Sequence, residues 1–194
     1  MSGDHFHVHG PHDHVVEHAA EHAAQSGGGF ASRIAAMTAV LATVGALFSY
    51  QGGSTQNAAL LYKNEATIRK TEASDQWNFY QAKSNKQNLA ELAAVLGSAE
   101  VRERYRQDAE RYKAEKAEIK AKAEALEEAS KEAEKLSEEA MHQHHRWAQA
   151  MTAIQVAISL AAITLLARRR WLQFATVGVG AAGIVIGAVA MAHL

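Results

Sequence analysis

The chain has 194 residues, no cysteine and a formal net charge of -1 at pH 7. The absence of cysteine excludes disulfides, thiolate nucleophiles and zinc–thiolate sites. The near-neutral charge gives no case for a nucleic-acid partner. The sequence also contains no phosphate-binding loop and no nucleophile elbow. We therefore expect neither an enzyme nor a nucleic-acid-binding protein.

Residues 1–29 form a histidine-rich tail that closes in a Gly-rich linker. Imidazoles two or four residues apart can chelate zinc, nickel or copper, so the tail is a candidate site for a divalent metal. Its candidate ligands are His5, His7, His9, His12, His14, His18 and His22. The alternative is a solvated tail that binds metal only weakly, because composition carries no geometry.

Three segments are apolar enough and long enough to predict transmembrane helices, at residues 30–51, 147–167 and 171–194. The connection between the second and third is Arg168, Arg169 and Arg170, which is too short to hold a domain. These two spans should therefore form a tight antiparallel hairpin. Because short positively charged loops stay in the cytoplasm, the arginines predict a cytoplasmic amino terminus and a periplasmic location for residues 52–146.

Each span carries a stripe of small or hydroxyl-bearing side chains, which let helix backbones approach closely in lipid. Gly180, Gly183 and Gly187 form such a stripe in the third span. Gln155 lies in the second, where its amide needs a partner, such as Gln155 of another copy. We expect helix packing rather than a pore lining, and these four residues are candidates for a homo-oligomer interface. Apart from Arg33 near the start of the first span and His193 at the end of the third, the spans contain no Asp, Glu, Lys, Arg or His, which argues against an ion-coupled transporter.

Residues 52–146 predict an extramembrane antiparallel helical hairpin that resembles a coiled coil, with its turn near residues 97–98. The second arm has one clear heptad column. Its members are Tyr105, Tyr112, Ile119, Leu126, Ala133 and Ala140. The positions three residues further on hold Asp108, Glu115 and Lys122, so the coil should be weak in isolation.

The first arm carries two adjacent heptad columns. One consists of Leu61, Ile68, Ala82, Leu89 and Leu96, interrupted by Asp75; the other consists of Asn57, Asn64, Thr71, Asn78, Asn85 and Leu92. The asparagines predict either an interface that pairs their amides or the solvated flank of a narrow apolar stripe. Trp77 and Tyr80 share one side of the helix. They should fill a pocket in a partner helix or pack against the second arm.

A second histidine cluster, His142, His144 and His145, lies at the membrane end of the second arm. It is expected to form a polar collar at the level of the lipid headgroups. The alternative is a ring of metal-binding or proton-sensing groups in an oligomer, because histidine titrates near neutral pH.

Two stretches carry a resemblance to a known family. Residues 6–14 read FHVHGPHDH and residues 76–84 read QWNFYQAKS. Both are similar to hallmarks of a bacterial membrane-protein family catalogued only as a domain of unknown function. The resemblance covers nearly the whole chain and implies a bacterial inner-membrane protein with a native histidine tail, but no activity.

The prediction is an all-α membrane protein with three transmembrane helices and a long extramembrane helical hairpin. Its expected partners are membrane lipid, further copies of itself and an unidentified protein. The expected function is an oligomeric inner-membrane scaffold or interaction protein. The alternative is a protein that binds, senses or conducts metal ions by means of the histidine tail.

Overall fold

A computed structural model describes residues 29–192, and this part of the chain contains three helices and no strand. Helix α1 runs from Gly29 to Leu96, α2 from Ala99 to Ala167 and α3 from Arg170 to Met191. The three helices are long and apolar enough to cross a membrane. No proline interrupts them, since the one proline of the chain, Pro11, precedes all three.

The break between α1 and α2 falls at Gly97 and Ser98. The Gly97 N–H donates to the Ala93 carbonyl at 2.9 Å, which closes the last turn of α1. A Cβ atom at Gly97 would lie 2.8 Å from that same oxygen, so the close approach requires glycine. The Ser98 carbonyl then accepts the Arg102 N–H at 2.8 Å and begins α2.

The turn between α2 and α3 contains Arg168 in the left-handed backbone region, with φ of 50°. Its N–H donates to the Thr164 carbonyl at 3.0 Å. Glycine is the usual residue at this helix-ending position, since a side chain there costs about 1 kcal/mol. The chain therefore keeps a positive charge at a position where local backbone preference favours glycine.

The described chain divides into two compact units: Ala58–Glu139, called here the arm unit, and residues 29–57 with 140–192, called here the span unit. In the arm unit, α1 and α2 meet along a seam of small side chains. Ala59, Ala66 and Ala73 are buried on α1. The buried small residues of α2 are Ala109, Ala123, Ser130, Ala133 and Ser137.

Two hydrogen bonds show how closely the arm helices approach. The Ser130 hydroxyl donates to the Ala66 carbonyl and the Ser137 hydroxyl donates to the Ala59 carbonyl, both at 2.8 Å. A serine side chain is short, so it reaches the backbone of a neighbouring helix only where that helix presents small residues. The alanines of α1 thus permit the contact.

The seam differs from the predicted one in two respects. On α2 the predicted column is confirmed, since Ile119 and Ala133 are buried and Tyr112 is half-buried, but its companion column lies four residues further on and not three. On α1 the predicted leucine column is not the seam: Leu61 is 61% exposed and Leu89 is 66% exposed. The smaller alanine column takes its place because it allows the shorter distance between helices.

In the span unit, Leu41, Ile154, Ala157 and Ile158 form the core. Helix α3 packs against this core through its glycines. A Cβ atom at Gly180 would lie 3.0 Å from Leu41, and one at Gly183 would lie 3.0 Å from Ile154.

Gly187 is the tightest of these positions, because its added Cβ would lie 2.2 Å from the Phe48 ring. The three glycines that were predicted to contact a second copy are therefore covered within one chain. The stripe serves intramolecular helix packing.

Replacing Gly187 by alanine should destabilise the span unit, because the Phe48 ring has to move to admit the methyl group. Overpacking of this kind costs roughly 1–3 kcal/mol. The measurement is the midpoint of thermal unfolding of the full-length protein in detergent. Gly178→Ala is the matched control, since nothing lies within 4 Å of a Cβ there. Equal midpoints for the two variants would contradict the predicted contact.

Candidate interaction surface

Three exposed heptad columns on α1 form what we call the outward face of the arm unit. The first is the asparagine column, with Asn64, Thr71, Asn78, Asn85 and Leu92; it lies opposite the alanine seam on the helix. The second is the leucine column, with Leu61, Ile68, Asp75, Ala82, Leu89 and Leu96; the third comprises Leu60, Thr67, Ser74, Gln81, Asn88 and Val95. Every residue of the three columns is exposed.

The outward face contains one ionisable residue, Asp75. The other charged side chains of the α1 arm lie beyond its borders or towards α2. Lys63 and Lys70 stand on one border, and Glu65 and Glu72 stand on the other. Solvated helix faces normally carry many charges, so a face of this width with Asp75 as its one charge suggests contact with another surface.

Apolar side chains gather at both ends of the outward face. Leu60, Leu61 and Ile68 are 54–61% exposed at one end. Leu89, Leu92, Val95 and Leu96 are 55–76% exposed at the other. Amides and hydroxyls occupy the middle. This arrangement combines apolar contact area with groups that both donate and accept hydrogen bonds.

The outward side of α2 is of a different kind. It carries charges in local pairs, such as Lys120 with Glu124 at 3.6 Å and Lys131 with Glu128 at 3.6 Å. Exposed pairs of this type add little stability and keep a helix face hydrated. The exposed side of α1 in the arm unit is therefore poor in charge, whereas that of α2 is rich in charge.

Trp77 and Tyr80, predicted as oligomer contacts or as packing against the second arm, lie against the second arm. The Trp77 indole donates to Glu127 Oε1 at 2.8 Å. The Lys116 ammonium lies 5.0 Å from the centre of the Tyr80 ring. The two rings also contact each other edge to face, with centroids 5.6 Å apart. These aromatics thus fasten the arms together, whereas Asn64, Asn78 and Asn85 remain exposed.

Two ion pairs connect the arms. Lys83 pairs with Glu115, and its ammonium lies 5.3 Å from the Phe79 and Tyr112 ring centres. The hydrogen bond from Lys83 lowers the pKa of the Glu115 carboxyl.

Further along the arm, Lys63 pairs with Glu134. The hydrogen bond between the two side chains lowers the pKa of Glu134 and raises the pKa of Lys63, and the attraction between their opposite charges acts in the same direction. The Lys83–Glu115 pair is the less exposed of the two, so its ionised carboxylate contributes more to the folded arms, whereas solvent screening leaves the half-exposed Lys63–Glu134 pair a small contribution.

The second histidine cluster lies in the span unit. His144 Nδ1 donates to the Gly52 carbonyl at 2.8 Å, and the His144 and His145 rings stand 5.9 Å apart. Gly52 is buried, with Trp147 Cβ 3.4 Å from the place of an added Cβ. This histidine therefore ties α2 to α1 within one chain.

The part of the chain that the structure describes contains no preformed metal site. Residues 29–192 contain no group of three or more His, Cys, Asp or Glu side chains placed to hold an ion. The predicted tail ligands, His5, His7, His9, His12, His14, His18 and His22, lie outside the described residues. Their role as metal ligands stays a prediction.

Gln155 is half-buried, and its backbone carbonyl accepts the Ser159 hydroxyl at 3.0 Å. Its predicted pairing with a second copy stays a prediction. Thr164 and Thr176 were not predicted as a pair, yet their buried hydroxyls lie 3.3 Å apart and join α2 to α3. Sequence periodicity does not reveal a contact of this kind, because it depends on how two helices are placed.

Comparison with known proteins gives one match. The family model described as "Domain of unknown function (DUF4337)" matches residues 30–193. The chain belongs to this family. No curated protein and no solved structure matches it. The DUF4337 match covers all three helices, so the outward face lies inside the family domain, whereas the histidine tail lies before it.

The scarcity of charge on the outward face could have been found from the sequence by projecting the charges of residues 60–96 onto heptad positions. The leucine column concealed it, because leucines at heptad spacing predict a buried seam. Which column is buried depends on what the neighbouring helix presents, and Ser130 and Ser137 fit alanine better than leucine.

The arm unit of this DUF4337 protein should lose stability in acid. Because Lys83 lowers the pKa of Glu115 below its ordinary 4.5, the contribution of this pair is present above that pH and is lost as pH falls through the lowered value. Glu115→Gln should therefore reduce the fall in thermal midpoint between about pH 5 and pH 3.

The comparison is made on full-length protein in detergent by circular dichroism. Glu110→Gln serves as control, since Glu110 lies 3.8 Å from Lys113 in a well-exposed local pair. If Glu115→Gln and the parent protein show the same acid response, Lys83 does not stabilise the ionised carboxylate.

Proposed function

We propose that this DUF4337 protein is an oligomeric scaffold of the bacterial inner membrane, in which copies associate through the outward face of α1 and present the helical arms as a platform for a protein partner. The observation that carries the proposal is the outward face itself. Its three exposed columns hold Asp75 as their one ionisable residue, with leucines at both ends. The three helices that are long and apolar enough to cross a membrane would anchor each copy.

The chemistry of the face supports a second copy as the occupant. An asparagine amide carries a donor and an acceptor, so it can pair with an identical amide across a symmetry axis. Asparagines at heptad spacing serve this purpose in coiled coils, where they set register and oligomer number. The exposed leucines supply apolar area on both sides of the amides. A merely solvated flank would explain the asparagines but not the exposed leucines or the missing charges.

The orientation follows from the arginine triplet. Arg168, Arg169 and Arg170 are exposed between the second and third membrane-spanning segments. Positively charged short loops stay in the cytoplasm, which assigns the amino terminus to the cytoplasm and the arm unit to the periplasm.

A lysine placed on the outward face should break the oligomer. Ala82 lies in the leucine column and is exposed, so Ala82→Lys should leave each chain folded while placing a charge in the proposed contact. The matched control is Ala121→Lys, because Ala121 is an exposed alanine of α2. The measurement is the mass of the full-length protein in lipid nanodiscs. An oligomer that persists in Ala82→Lys, or a monomeric parent protein, would contradict the proposal.

The second candidate function, metal handling, rests on the sequence of the tail alone. If it holds, native mass spectrometry of the full-length protein purified without added metal should show stoichiometric zinc, nickel or copper. That metal should disappear when His14, His18 and His22 are changed to alanine, because chelation needs several imidazoles. Protein that carries no metal in either form would exclude the tail as a resident metal site.

A further inference from the structure

We infer that two copies pair through the outward face in parallel and in register, so that Asp75 of one copy meets Asp75 of the other and keeps the association weak enough to be reversible. This inference rests on the proposed function. Beyond that function, the inference specifies the direction in which the two faces pair, their register, and Asp75 as the residue that limits the strength of the contact.

The direction of pairing follows from anchoring. Residues 60–96 belong to α1, the helix that also contains the first membrane-spanning segment. In copies that are inserted with the same topology in one bilayer, the outward face therefore starts at residue 60 on the same side of the membrane. Two such faces that meet side by side run in the same direction, and equivalent residues come together about a two-fold axis.

The register follows from the order of side chains along the face. With no offset, Leu92 meets Leu92 and Asn85 meets Asn85. An offset of one heptad would instead place Asn85 against Leu92 and Ile68 against Asp75. Each mismatch leaves a polar group against an apolar side chain without a hydrogen-bond partner. The order of polar and apolar side chains along the face thus favours pairing without an offset.

The contact runs between the leucine and asparagine columns, which lie three residues apart like the two core columns of a parallel coiled coil, so each column meets its own counterpart. Asp75 belongs to the leucine column and is therefore placed at this contact.

Asp75 is the one unfavourable element. Residues three and four positions away on its own helix are Thr71, Glu72, Asn78 and Phe79, so no cation lies within one turn. In register, the carboxylate meets its own counterpart, with Glu72 as the nearest further charge. Like charges directly opposite each other destabilise a pair of helices. Association is consequently weaker than the leucines and asparagines alone would allow.

Disulfide trapping tests the direction, because the chain contains no cysteine. Asn64→Cys and Asn85→Cys are made separately in the full-length protein and oxidised in native membranes. Parallel pairing predicts that each variant links to itself. The control is Ala121→Cys, an exposed position of α2, which should not link.

The trapping outcomes separate the inference from the proposed function. Links only between Asn64→Cys and Asn85→Cys copies, when the two are mixed, would overturn parallel pairing while retaining the outward face as the contact. No link at either position would overturn the proposed function as well.

Charge exchange tests the register. Asp75→Asn should tighten association about twofold to fivefold in nanodisc dilution experiments, since it removes the repulsion. The parent protein and the Asp75→Lys variant are then given different tags and expressed together. Pairs that contain one chain of each kind should be more frequent than random mixing predicts, because aspartate and lysine attract each other. Antiparallel or shifted pairing leaves position 75 opposite another residue. A statistical share of mixed pairs, or no tightening in Asp75→Asn, would overturn the in-register contact of Asp75.

Discussion

The close approach of α1 and α2 in the arm unit determines which surfaces this protein leaves open. Ser130 and Ser137 reach across to carbonyls of the neighbouring helix at 2.8 Å, and they can do so only because α1 presents alanines there. Larger side chains would separate the helices and leave these hydroxyls without their partners. The ion pair of Lys83 with Glu115 and the contacts of Trp77 and Tyr80 then complete the seam at positions where small residues give way to long ones.

A seam built from alanine has a consequence for the rest of α1. Since the small residues are turned inwards, the leucines, asparagines and hydroxyls remain outside, and the charges stay on the borders. A helix that met its neighbour through leucine would have hidden the surface that now suggests association. The same residues that close the hairpin thus leave the outward face uncovered, and Asp75 is the one charge on it.

Small residues also allow close helix packing in the span unit, but there the packing covers the surface that they form. The glycine stripe of α3 packs within one chain, since Gly180 faces Leu41, Gly183 faces Ile154 and Gly187 faces Phe48. In lipid, burial of apolar area gives helices no drive to associate, and close contact at small residues replaces it. The proposed association therefore uses the outward face of the arm unit and not the glycines of α3.

Composition, periodicity and glycine placement, which are local properties, are enough to predict the all-helical class, the three apolar segments, the turn near residues 97–98 and the heptad column of α2. The two short stretches at residues 6–14 and 76–84 point to a family of unknown function. The buried column of α1, the packing of the α3 glycines and the contacts of Trp77 and Tyr80 are visible only in the folded chain. Periodicity says which residues share a face of a helix. It does not say which face meets the neighbouring helix, because that depends on the distance between the helices and on the hydroxyls and charges that the other helix presents.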